Sequence, residues 1–179
     1  QSNVYTLQTS QAQGTDCTLR NNFKAAPSVS ASHTFTGTTA GNGTRMPSVA
    51  AAGFSGVMQA SPADGENGNN GTAEAFGTGA VTPTVDGALF FAAIVFDRAV
   101  SGITVDSPFT LIETVAFVAG QHQAIALAYY VQPTAANLQA VFRWTTTANV
   151  ALRISVFKPA VAAGGIVPIL IRQYRERRS

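Results

Sequence analysis

Hydrophobic and polar positions alternate with a period of two along most of this chain. From Ser28 to Thr36, Val29, Ala31, His33 and Phe35 fall on one side, and Ser28, Ser30, Ser32, Thr34 and Thr36 on the other. Strict alternation of this kind marks a strand with one buried face. Asp16 to Lys24 reads the same way, with Cys17, Leu19 and Phe23 on one side, and Asn3 to Thr9 is a weaker strand. Ala88 to Phe96 is apolar on both faces, which predicts a central strand, and Asp86-Gly87 supplies the turn before it. Further strands are predicted over Phe109 to Val118, after a turn at Ser107-Pro108, and over Gln123 to Val131, Leu138 to Thr146 and Asn149 to Lys158. In the last, Val150, Leu152, Ile154 and Val156 alternate with Ala151, Arg153, Ser155 and Phe157. Val49 to Met58 and Thr72 to Thr78 predict short strands. The Asn- and Gly-rich stretch Ser61 to Gly71 between them predicts a long exposed loop. About ten short strands separated by Asn, Thr, Gly and Pro predict an all-β sandwich or barrel, with no amphipathic helix.

Composition narrows the class. The 179 residues are 46% hydrophobic and 11% charged, which suits one folded domain and not a disordered chain. The longest apolar run, Ala88 to Phe96, is far short of the roughly 20 residues of a spanning helix, so no membrane span is expected. A single Cys cannot form an internal disulfide framework or a thiolate zinc site. The start, Gln1-Ser2-Asn3-Val4, has neither the basic nor the apolar segment of a secretory signal.

The net charge of +2 is unevenly placed. Arg172 to Ser179 holds four Arg and one Glu, a local +3, which leaves −1 on the rest. Nucleic-acid binding needs a basic face spread over the domain, so a nucleic-acid partner is not expected. The preceding stretch, Gly164 to Ile171, is apolar and follows an Ala/Gly hinge. This predicts two parts: a β-sandwich domain over residues 1–160, and an extended apolar and basic C-terminal arm over 161–179. Left outside the body, such an arm suits docking on a partner.

Candidate chemistry is sparse. Asp64, Glu66, Asn69 and Asn70 share one Gly-rich stretch, and closely spaced oxygen ligands are what calcium requires. The calcium-loop pattern is not met, because position 68 is Gly and no Glu closes it. An Asn/Gly turn held by its own side chains is the plainer reading, and no metal or cofactor is expected. His33 and His122 do not form a metal-binding pair. The string Gly53-Phe54-Ser55-Gly56 lacks the spacing of a serine nucleophile elbow. Asp97, Asp106, Glu113, Glu66 and Glu74 are the carboxylates a glycosidase pair would draw on. Tyr129, Tyr130, Phe142 and Trp144 are candidate sugar platforms. Alternation with Leu127 and Ala140 assigns most of them to the core and puts Tyr130 on the other face, with Ala126 and Ala128. Asn42-Gly43-Thr44 and Asn70-Gly71-Thr72 fit the glycosylation sequon, a frequent chance match.

Several blocks carry a resemblance. They are Thr36 to Gly43, Phe54-Ser55-Gly56, Asn69 to Thr72, Val81 to Leu89, Phe109 to Ile112, Ala126 to Val131, and Arg153 to Pro159. In these the chain resembles phage- and bacterium-encoded β-sandwich proteins of undefined function, jelly-roll or lectin-like and often virion-associated. The resemblance implies a single antiparallel jelly-roll-like sandwich without catalytic residues. The expected function is a non-enzymatic virion structural or capsid decoration protein, homo-oligomeric and located on the virion. It would be anchored to other virion proteins through Ile169, Ile171, Arg172, Tyr174, Arg175, Arg177 and Arg178. The alternative is a carbohydrate-binding or receptor-binding module recognising a surface glycan.

Overall fold

The computed structural model describes residues 4–25, 27, 47–120, 122–160 and 167–169. Ten strands occur among them: β1 (Thr6–Gln13), β2 (Cys17–Phe23), β3 (Gly53–Ser55), β4 (Ala63–Gly77), β5 (Ala88–Phe96), β6 (Thr104–Val105), β7 (Thr110–Val115), β8 (Ala124–Gln132), β9 (Val141–Phe157) and β10 (Val167–Ile169). The large antiparallel sheet has the order β4-β9-β5-β8-β7, with β6 also paired to β9. Two smaller antiparallel pairs, β1-β2 and β3-β10, complete an all-β, sandwich-like architecture. The expected strand at Ser28 to Thr36, with His33, and the sequon at Asn42 lie outside the described residues.

β5 sits centrally because both of its faces are apolar. It pairs with β8 from Ala88↔Gln132 to Phe96↔Ala124 and with β9 from Leu89↔Phe157 to Phe96↔Val150. Its Phe90, Ala92, Ile94 and Phe96 join Ala126, Ala128, Val150, Leu152, Ile154 and Val156 in the main core. Its opposite face gives Ala93 and Val95 to a second core with Ile125, Leu127, Ala151, Cys17 and Leu19. The β1-β2 hairpin covers this second face. Its β2 strand buries Cys17, Leu19 and Asn21 in alternation.

β9 is one 17-residue strand where two were expected. Thr145, Thr146 and Thr147 are β-branched and favour the extended backbone. Asn149 does not turn the chain, because its N–H donates to Asp97 Oδ1 at 3.0 Å. The strand does bend. Between Ala73↔Ala148 and Ala75↔Arg143, two steps on β4 answer five on β9. Extra residues on one strand bend it there. The bend carries Phe142 and Trp144 into the main core, and Trp144 meets Phe96 edge-on at 5.1 Å.

Of the expected loop at Ser61 to Gly71, all but Ser61 and Pro62 is instead the first half of β4, paired with β9 from Ala63↔Phe157 to Gly71↔Val150. Its glycines serve close approach rather than turning. A Cβ on Gly68 would stand 2.8 Å from Arg153 Cδ and 2.9 Å from Gln11 Oε1, and one on Gly71 would strike the Phe76 ring. Arg153 and Gln11 are each bound elsewhere and cannot give way freely. Gly68→Ala is therefore expected to cost about 1–3 kcal/mol, the usual range for overpacking, read from urea unfolding. An unchanged midpoint would contradict the packing described.

β7 departs from the expected alternation. A register shift between Leu111 and Glu113 breaks the two-residue period. Leu111 packs on the main core, whereas Ile112 and Val115 pack on the second.

Candidate functional site

The hairpin β1-β2 meets the large sheet through a seam of polar side chains. Its apolar contribution to the buried second core is only Cys17 and Leu19. Along β9, positions 151, 153 and 155 face the hairpin, and the last two are Arg and Ser. Buried Asn21 donates to Ser155 Oγ at 2.9 Å, and Ser155 Oγ donates to Gln8 Oε1 at 2.5 Å. Gln11 Nε2 donates to Asn70 Oδ1 at 2.5 Å, and Asn70 Nδ2 donates to Gln13 Oε1.

Arg153 anchors the middle of this seam. It is 4% exposed, and its Nη2 lies 2.8 Å from Glu66 Oε2. The other oxygen, Glu66 Oε1, accepts from the Thr9 hydroxyl at 2.5 Å. Partial burial pushes the Glu66 carboxyl up, but the Thr9 bonds and the Arg153 charge together hold it below the usual carboxylate range. A second knot closes the seam's far end. Asn149 Nδ2 donates to Asp16 Oδ2 at 2.8 Å and Asp97 Oδ2 at 3.1 Å, and Arg98 forms two bonds to Asp97, at 3.0 and 2.8 Å. Burial raises the Asp97 carboxyl, yet Arg98 and Asn149 bring it below its ordinary value. Burial pushes the Cys17 thiol up to about 12, with Asp97 and Asp16 adding to the effect, so it stays protonated at neutral pH.

These lowered carboxyls set a pH dependence. A carboxylate whose folded pKa is depressed adds stability above its unfolded pKa and loses it as pH falls through the folded value. The unfolded values are about 4.3 for Glu and 3.9 for Asp. Denaturant midpoints are expected to be level from pH 7 to about 5 and to fall below about 4. Glu66→Gln should reduce that fall. A profile unaffected by the substitution would contradict the assignment.

The calcium candidates do not converge. All four stand on β4, not in a loop. Asp64, its side chain 1% exposed, accepts from the Thr84 N–H at 2.7 Å and hydroxyl at 2.5 Å, with Lys158 Nζ at 3.8 Å. Glu66 and Asn70 bind the hairpin, and Asn69 accepts from its neighbour's backbone at 3.0 Å. Among the described residues no three His, Cys, Asp or Glu side chains are grouped to hold a metal ion. The other carboxylates are equally separate. Asp106 takes two bonds from Arg143, at 2.7 and 2.8 Å, Glu74 accepts from Thr147 at 2.9 Å, and Glu113 accepts from the Thr114 N–H at 3.1 Å.

Phe142 and Trp144 are buried. Half-buried Tyr130 packs on the main core, 5.9 Å from Phe109, and Tyr129 packs against Phe54 at 5.6 Å on the opposite face. Beside the seam, two open grooves of about 390 and 440 Å³ adjoin at Thr6, Phe23 and Ala63. Leu7, on β1 at the first groove, is 65% exposed. No helix among the described residues is long and apolar enough to cross a membrane.

Of the expected anchoring residues, only Ile169 is described. Val167–Ile169 is strand β10, paired with Ser55, Phe54 and Gly53 of β3, so the apolar strip is tied to the body at this point. Ile171, Arg172, Tyr174, Arg175, Arg177 and Arg178 lie outside the described residues. Arg153 and Asn149 are not among the candidate site residues read from the sequence. Arg153 had a signal, since it is the one charge within the strongly apolar run Val150 to Phe157.

No protein-family model, curated protein or solved structure matches the chain. Fold and seam together define an all-β, sandwich-like protein whose hairpin is held on the large sheet by side-chain hydrogen bonds, with Arg153 and Glu66 paired within that sheet beneath it.

Proposed function

We propose that this protein is a non-enzymatic structural subunit of a phage particle, of the capsid-decoration kind. In this reading the two layers form a jelly-roll-like body, and the basic C-terminal arm docks on a capsid or tail protein. The observation that carries the reading is the seating of Val167–Ile169 on β3. The last described strand is fixed to the body immediately before a segment holding Arg172, Arg175, Arg177 and Arg178. Guanidinium groups suit bidentate pairing with carboxylates on a partner surface. The carboxylates of Glu66 and Asp97 also support it, because each is engaged in the seam between the hairpin and the large sheet.

The test replaces the four arginines together with Glu and measures co-sedimentation with particles of the encoding phage. Retention is expected to fall at least tenfold, since one lost Arg–carboxylate partner alone costs about 2–5 kcal/mol. Equal retention would end the anchoring reading. A reproducible rise in melting temperature with surface sugars would move the assignment to a glycan-binding module, because only a ligand that prefers the native state stabilises it.

A further inference from the structure

The hairpin β1-β2 is fastened to the body differently from the strands of the large sheet. Its backbone ladder joins β1 to β2 and goes no further, whereas β4, β9, β5, β8 and β7 share one continuous ladder. Across the seam the bonds end on side chains. Thr9 binds Glu66, Gln11 and Gln13 bind Asn70, Asn21 and Gln8 bind Ser155, and Asp16 binds Asn149. Each of these groups can exchange its partner for water, so each bond is worth little net. The apolar anchorage is short as well. On β2, Cys17 and Leu19 enter the second core, and Phe23 meets the Phe157 ring edge-on at 5.1 Å. Among the described residues, β1 gives no side chain to either core. Arg153 lies beneath the hairpin, its side chain 4% exposed, and its Nε meets no acceptor among the described residues. Lifting the hairpin would hydrate that guanidinium, and desolvation of a charge is a cost of the closed form. Units with few buried apolar contacts open at lower free energy than the rest of a fold.

We infer that β1-β2 is a strap that lifts from β4 and β9 as a unit while the large sheet stays folded, uncovering Ala93, Val95, Ile125, Leu127 and Ala151. The strap belongs to the body itself and is independent of the particle reading above.

Cys17 and Trp144 are the single Cys and the single Trp of the chain, one in each core. They read the two layers separately in the full chain. The Cys17 thiol is buried and pushed up to about 12, so alkylation by iodoacetamide proceeds from an open form. Its rate is measured across a urea series beside Trp144 fluorescence, with a short Cys peptide giving the unprotected rate. At low urea the open fraction from Cys17 is expected to exceed the unfolded fraction from Trp144 by about tenfold or more. Equal fractions at every urea concentration would overturn the inference, since hairpin and sheet would then open together. Asn21→Ala separates lifting of the whole strap from fraying of the hairpin turn. Asn21 lies four residues along β2 from Cys17 and donates to Ser155 Oγ at 2.9 Å. The variant is expected to speed Cys17 alkylation about three- to tenfold, the worth of one hydrogen bond, with the Trp144 midpoint unchanged. An unchanged alkylation rate would overturn the inference, and so would an equal shift of both readouts.

Discussion

Glu66→Gln is expected to destabilise the fold by about 3 kcal/mol, the lower end of what a buried ion pair costs when one partner is removed. The lower end applies because the Glu66 side chain is 31% exposed while that of Arg153 is only 4% exposed. The substitution leaves a guanidinium enclosed between β4, β9 and the hairpin without its counter-charge. Replacing both charges tests this logic. Glu66→Gln with Arg153→Met should recover most of the loss, since a well-packed apolar group in place of a buried pair is neutral or stabilising in other proteins. The measurement is a double-mutant cycle by urea unfolding, with coupling of about 1–3 kcal/mol expected between contacting residues. Additive effects would mean that Arg153 is not held by Glu66.

Phe96→Ala is expected to cost about 3–5 kcal/mol, in the range for removing a buried phenylalanine. Phe96 is 0% exposed and ends the central strand. It meets Trp144 edge-on at an interplanar angle of 79°. That contact exists only because β9 bends between Arg143 and Ala148. The substitution therefore tests the bend as well as the core, and Trp144 fluorescence reports its side of the contact. A loss below about 1.5 kcal/mol, comparable to a volume-conserving swap, would show that the first half of β9 does not fold across β5.

The period-two pattern made the central strands legible. β5 has the expected bounds, and the two faces of Val150 to Phe157 separate as the alternation requires, with Val150, Leu152, Ile154 and Val156 in the main core. Burial on one or both faces writes itself directly into side-chain type. β4 was illegible for the opposite reason. Its Asp, Asn and Gly residues share a turn composition, but here Gly68 clears space for Arg153, and Asn70 and Glu66 bind the hairpin. Polar contacts between distant elements leave no period in the sequence. The same holds for Asn149, which reads locally as a break and serves as a bridge between Asp16 and Asp97. The candidate site was less legible still. Its calcium residues were grouped by nearness in sequence, whereas on an extended strand Glu66 and Asn70, both facing the hairpin, stand about 13 Å apart.

The most direct test compares the full chain with one ending at Leu170, which keeps β10 and removes the four arginines. Melting temperature is measured together with retention on the phage particles that the proposal assigns as its partner. The proposal predicts an unchanged melting temperature and loss of retention. Full retention by the shortened chain would contradict it.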